Sequence, residues 1–159
     1  MAVPDKKELD KMLDRAWDTN ERGYPLDAIE LYNKVLEIDP NYAKVYSWRA
    51  CAYISLKDYE QAIQDCNKCI ELKPSYSEAY LNRGEAYSKL GQYEQAIQDY
   101  SKAIERRKNN HIAYSYRGWA YFELGDYEKA RQDCNKALEI QSNYANAIKL
   151  LKELQKQNS

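Results

Sequence analysis

Cys66-Asn67-Lys68-Cys69 places two soft ligands at a spacing that metal sites use. Structural zinc wants four such ligands, however, and the only histidine, His111, lies far along the chain. A second pattern pairs Arg49, Arg83 and Arg117 with Asp65, Asp99 and Asp133. An arginine ladder can grip phosphate, but the same residues can close on one another, because a guanidinium fork matches a carboxylate bidentately. Catalytic chemistry finds less material. The sequence holds no Gly-rich phosphate loop, no Ser/His/Asp set and no carboxylate pair set in an apolar stretch. Arg106-Arg107-Lys108 reads as a solvated basic corner, not a nucleic-acid stripe. The expectation is a protein without metal, cofactor or enzymatic activity.

The elements that carry these residues repeat every 34 residues. Segment 43–76 agrees with segment 77–110 at 15 of 34 positions, and 77–110 agrees with 111–144 at 17 of 34. A more degenerate copy, 9–42, precedes them. Such a period marks stacked supersecondary units, none able to bury its apolar face alone. Within 77–110, Ala79, Tyr80, Gly84, Ala86, Tyr87 and Leu90 recur at helical spacing. Gly91-Gln92 interrupts, and Tyr93, Ala96, Ile97, Tyr100, Ala103 and Ile104 resume. Each unit is therefore an antiparallel helical hairpin. Lys57-Asp58 and Gly125-Asp126 make the equivalent turns, and Pro40 and Pro74 close the second helices of the first two units. Small residues stand where paired helices must approach, at Ala16, Ala50, Gly84 and Gly118 and at Ala28, Ala62, Ala96 and Ala130. An Asp5-Lys6-Lys7-Glu8 capping box is expected to open the first helix. A last helix over 145–157 should cap the stack, with Ile148, Leu151 and Leu154 inward, Lys149, Lys152 and Lys156 outward, and Leu150 on the groove side.

Tyr80…Gly84…Tyr87…Gly91…Tyr93…Ala96…Tyr100…Ala103, repeated as Tyr114…Gly118…Tyr121…Gly125…Tyr127…Ala130…Ala137, resembles the tetratricopeptide repeat (TPR). The resemblance runs in phase from Leu9 to Tyr144. It implies an all-α solenoid of four helical hairpins plus the capping helix, about nine helices in a right-handed superhelical stack, forming a single domain over 1–159. Tyr46, Tyr80 and Tyr114 stand where the family often has Trp, and the closing prolines are missing at Lys108 and Ser142. Helix ends are expected to be less defined there.

Charge and composition narrow the partners. Twenty-four basic and 25 acidic side chains leave a net charge of −1 and no field favouring nucleic acid or an anionic membrane. No apolar run is long enough to span a bilayer, and no secretory segment is visible at the start. The four cysteines lack the spacing of a disulfide framework, so a reduced, cytoplasmic setting is expected. In the repeat register Cys66 and Cys134 are equivalent to Tyr32 and Tyr100, and Cys69 to Val35, Ala103 and Ala137, all core slots. The Arg–Asp ladder tests itself against the first copy, which has Arg15 but Leu31 where Asp would fall. Pairing within repeats leaves only Arg15 unmatched, whereas pairing across repeats strands both Arg49 and Asp133.

Function should lie where the copies differ on an exposed face. At 100° per residue, the phases opposite the buried stripe hold Leu13, Trp17 and Asn20, then Lys44, Ser47, Trp48, Cys51 and Ile54. In later copies they hold Glu78, Leu81, Asn82, Glu85, Ser88 and Lys89, then Ile112, Ser115, Tyr116, Trp119 and Phe122. All three tryptophans and the only phenylalanine fall there. Trp17 and Trp119 sit about 160° from the buried stripe, which core packing does not explain. The resemblance makes this face a concave groove. The expected site is therefore two apolar stations, Trp17/Trp48/Cys51/Ile54 and Ile112/Tyr116/Trp119/Phe122, with a polar saddle of Asn82, Glu85 and Lys89 between them. Roughly 30–40 Å of groove would take about ten residues of extended peptide. Family members that grip acidic chaperone tails use a Lys/Asn/Asn/Lys/Arg carboxylate clamp on these phases. Here those positions read Leu13, Trp17, Trp48, Glu78 and Asn82, or one unit later Ser47, Cys51, Asn82, Ile112 and Tyr116. Only Asn82 matches. The reading is a non-enzymatic module that binds a protein or peptide partner; the alternative is self-association through the groove or the last helix.

Overall fold

The computed structural model describes residues 6–157, so the expected capping box, which needs Asp5, lies outside them. Nine α-helices and no strand occur among the described residues. They are α1 (Lys6–Glu21), α2 (Pro25–Ile38), α3 (Ala43–Ser55), α4 (Tyr59–Leu72), α5 (Ser77–Lys89), α6 (Tyr93–Arg106), α7 (His111–Glu123), α8 (Tyr127–Ile140) and α9 (Ala145–Lys156). Described residues up to Asn82 form one compact unit and those from Arg83 onward a second, the division falling inside α5. In the first unit α1 pairs with α2 and α3 with α4; in the second α7 pairs with α8, and α9 packs on both.

The same turn joins the helices of every hairpin. Gly23, Lys57, Gly91 and Gly125 stand 34 residues apart, and all four have positive φ, at 86°, 63°, 75° and 80°. In the turn after α3, the Lys57 N–H donates to the Ile54 carbonyl and the Asp58 N–H to the Tyr53 carbonyl. That is the Schellman arrangement, which satisfies carbonyls the helix end would otherwise leave orphaned. Asp58 and Asp126 then accept the N–H of Gln61 and Lys129, capping α4 and α8. The second helices end in register too, at Ile38, Leu72, Arg106 and Ile140. Each is closed by the next residue's N–H, bonded to Val35, Cys69, Ala103 or Ala137. The missing prolines therefore do not loosen these ends, contrary to expectation. The backbone bond, not the proline, sets the stop.

Packing inside each hairpin follows the small residues. Ala16, Ala28, Ala50, Ala62, Ala96 and Ala130 have no exposed surface. At Gly84 the approach is closer still: a β-carbon built there would lie 2.7 Å from Cε1 of Tyr100. Glycine at this position is what admits the tyrosine ring. In the first unit Leu13, Ala16, Ala28, Tyr32, Val35, Leu36 and Val45 form one core cluster. In the second, Ala130, Cys134, Leu150 and Leu154 form another. Leu150 is fully buried, so it is a core residue and not the groove-side residue expected from its phase. Ala147 and Leu154 share its face, while Ile148 is only half-buried. Cys66, Cys69 and Cys134 occupy the core slots that the repeat register assigns them. Burial pushes the Cys69 thiol up to about 11 and the Cys134 thiol up to about 12, far from the range in which a thiolate attacks or ligates.

Arg49, Arg83 and Arg117 each close on the aspartate of their own repeat, as the mismatch at Leu31 indicates. The fork is bidentate in all three: 2.7 and 2.6 Å to Asp65, 2.7 and 2.6 Å to Asp99, and 2.8 and 2.8 Å to Asp133. Arg49 also donates to Asn33 and Arg117 to Ser101, each on the second helix of the preceding copy. One guanidinium thus fixes a hairpin internally and ties it to its neighbour. Tyrosine rings flank the same group. The Arg49 guanidinium lies 5.5 Å from the Tyr46 ring and 6.0 Å from Tyr53, and Arg117 lies 5.6 Å from Tyr114 and 6.0 Å from Tyr121. Arg15, whose repeat has Leu31 in the place of the aspartate, is exposed.

Removing one member of such a pair leaves a desolvated charge. Asp133→Ala should cost about 3 kcal/mol, and Arg117→Met/Asp133→Leu should regain most of it, read from urea unfolding midpoints. The turns give an independent test. Gly125→Ala, with open space around it but φ of +80°, should lose about 1 kcal/mol. Lys57→Gly should gain about 0.5 kcal/mol, left-handed strain relieved less the entropy of glycine.

Candidate functional site

In the first unit Trp17 and Trp48 meet edge to face, with ring centroids 6.1 Å apart. Trp17 keeps 44% of its surface exposed. Trp48 is half-buried, packs on the Leu13/Tyr32 core and hydrogen-bonds Tyr76. Cys51 and Ile54 are half-buried on the same helix. Two positions expected on this face are core instead. Leu13 is 4% exposed and Ser47 is fully buried. Ser115, the same phase in the second unit, is fully buried as well. The reason is lateral packing: α1 touches α3 and α7 touches α9, so this phase lies under the neighbouring first helix. Lys149 continues the series on α9 and is exposed, because no further helix covers it among the described residues. Asn82 is engaged by the scaffold. Its amide nitrogen donates to the Ser47 carbonyl and hydroxyl at 3.0 and 3.1 Å, which leaves its oxygen as the group able to meet a ligand.

The second unit contains a recess of about 480 Å³. Glu85, Ser88 and Lys89 from α5, Tyr116 and Trp119 from α7, and Asn146 and Lys149 from α9 line it, with Tyr100 and Tyr144 completing the wall. Tyr100 reaches it from α6 across the gap left by Gly84, its ring 5.8 Å from that of Tyr116. Trp119 is held on three sides. Its indole N–H donates to Asn146 at 3.0 Å, the Lys149 ammonium lies 5.8 Å from its ring, and Phe122 stands 5.8 Å away. Trp119 is therefore half-buried against α9, not fully presented as its phase on α7 alone suggests. Phe122 turns from the recess toward Tyr127, and Ile112 is half-buried outside the lining. A second recess, of about 540 Å³, is lined by Leu9, Asp39, Asn41, Tyr42, Ala43, Lys44 and Lys73, away from Trp17.

Four lining residues escape the sequence reading, Tyr100, Tyr144, Asn146 and Lys149, while Ser88 lies on the groove face as its phase indicates. Tyr100 and Tyr144 look like scaffold because they share their register with Tyr32 and with Tyr42 and Tyr76. Asn146 and Lys149 look like parts of a cap. The signal that finds them is register, since Asn146 lies 34 residues after Ile112 and Lys149 34 after Ser115. In repeat terms α9 is a further first helix. Glu85 is the acidic group of the recess. Burial raises its carboxyl above the ordinary value, and Lys89, one turn along α5, offsets this only in part.

Stacked helical hairpins with a lined recess on their first helices define a class of interaction scaffold. The sequence comparisons then fix the family. The tetratricopeptide repeat model matches residues 43–76, 77–110 and 111–144, and the chain belongs to that family. No curated protein matches it in sequence. Among solved structures it is similar to TTC0263, a thermophilic TPR protein in Thermus thermophilus, at a TM-score of 0.82 and 22% identity, covering 92% of this chain and 80% of that one. MamA superimposes at 0.75 and 28% identity, over 86% and 80% of the two chains. The first TPR of Spaghetti (RPAP3), bound to the HSP90 peptide SRMEEVD, superimposes at 0.70 and 28% identity, over 72% and 91%. Protein–protein interaction is the business of this fold, and no described helix is long and apolar enough to cross a membrane.

A carboxyl whose value is higher in the folded chain holds its proton more tightly there. Glu85 therefore opposes folding once the pH rises above the unfolded carboxylate range, and ceases to do so below it. Glu85→Gln should raise Tm at pH 7, and the gain over wild type should shrink to nothing as the pH is lowered through that range. Calorimetry across pH checks both.

Proposed function

We propose that the chain is a non-enzymatic interaction module that holds a peptide or helical segment of a partner against its aromatic first-helix positions. One station lies in each compact unit: Trp17/Trp48/Cys51/Ile54 with Asn82 in the first, and Glu85/Lys89/Tyr116/Trp119 in the second, flanked by Ile112 and Phe122. The observation that carries this reading is the aromatic-walled recess at positions where the repeats depart from one another. Rigid aromatics at such places supply contact area at little entropic cost. The four cysteines, which lack the spacing of a disulfide framework, favour a reduced, cytoplasmic setting.

A chaperone-tail carboxylate clamp is a poor description of the site. The clamp positions that carry cations fall here on Leu13, Glu78 and Asn82, or one unit later on Ser47, Ile112 and Tyr116, none of them basic, so nothing here matches the acidic SRMEEVD peptide of the Spaghetti (RPAP3) domain. Self-association through the last helix loses its handle, because Leu150 is core.

A random decapeptide library panned on the wild type and on Trp17→Ala/Trp119→Ala tests the reading. Enrichment on the wild type, lost on the double variant with helicity unchanged, is expected. Equal enrichment on both would refute it.

A further inference from the structure

We infer that the recess in the second unit is a receptor for an arginine side chain of the partner; this rests on the interaction reading above and specifies its chemistry. The protein itself shows what holds a guanidinium in this fold. Arg49 and Arg117 each lie between two tyrosine rings with a bidentate carboxylate at the end of the fork. The recess contains the accepting half of the same arrangement. Tyr116, Tyr144 and Trp119 line it with half-buried rings and Tyr100 with one edge, and half-buried Glu85 supplies a carboxylate among them. Glu85 shares the lining with all four rings.

Charge complementarity decides the sign of the occupant. Lys89 and Lys149 also line the recess, but both are solvent-exposed, so their charges are screened and gain little from an acidic ligand. Glu85 has lost part of its hydration to burial, so an incoming cation stabilises it most. The Trp119 face already accepts a cation, the ammonium of Lys149 at 5.8 Å, which a flexible four-carbon stem can withdraw. Arginine is preferred over lysine because its plane stacks on rings while its fork meets both carboxylate oxygens.

Titration of the labelled protein with Nα-acetyl-arginine methylamide, its citrulline isostere and the matching aspartate compound, followed by NMR, tests this. The arginine compound should shift the Trp119 indole and Glu85 amide signals saturably, at least tenfold more tightly than citrulline, and Glu85→Gln should abolish the difference. Equal response to citrulline, tighter binding of the aspartate compound, or an unchanged preference in Glu85→Gln would each overturn it. The decapeptide library separates the two levels. Enrichment without arginine overturns this inference and leaves the interaction reading standing, whereas no enrichment over Trp17→Ala/Trp119→Ala removes both.

Discussion

Two helices of each hairpin approach so closely that only alanine or glycine fits between them, and the rest of the structure depends on that approach. It brings the arginine of a first helix within reach of the aspartate sixteen residues later, so a long side chain can close bidentately without distorting either helix. It leaves the rings at three residues before and four after the arginine no place except against the guanidinium. Where the small residue is glycine opposite tyrosine, it also lets the ring of Tyr100 pass into the recess. The ion pairs are consequences of this geometry more than its cause, since a half-buried pair gains little over what its desolvation costs. They select the pairing of helices that the small residues permit.

The division of labour between shared register and local departure explains what is legible in the sequence. Helix positions, turns, cysteine slots and Arg–Asp partners all follow from residues that recur at 34, because a recurring residue must satisfy the same neighbours each time. Leu13, Ser47 and Ser115 are misplaced by sequence reasoning for a different reason. A helical wheel treats each helix alone, and it cannot see that the next first helix covers one edge of the opposite face. Leu150 is misread in the same way. Its phase on α9 faces the groove on an isolated helix, but Gly118 opens a space in α7 that its side chain fills. Tyr100 and Tyr144 are hidden by their regularity, since a tyrosine in register looks like packing even when one edge of its ring lines a recess.

In the proposed reading the aromatic positions off the period carry the functional weight, and the structure qualifies them unequally. Trp17 stays exposed beside Trp48. Trp119 is anchored by Asn146 and covered by Lys149, which makes it a rigid wall more than a free contact. Rigidity of that kind favours binding, because a side chain already held in place loses little entropy when a ligand arrives. Burial raises the carboxyl of Glu85 as it does that of Asp65, but Asp65 is held by Arg49 inside its hairpin whereas Glu85 lines a recess.

The central claim is that in-register residues build the scaffold and off-register aromatics meet the partner. Its most direct measurement is the NMR response of two sets of side-chain N–H groups to a saturating library-selected decapeptide. The indoles of Trp17, Trp48 and Trp119 should shift while the Nε–H groups of Arg49, Arg83 and Arg117 stay fixed. Shifts confined to the arginines, with the three indoles unmoved, would contradict the account.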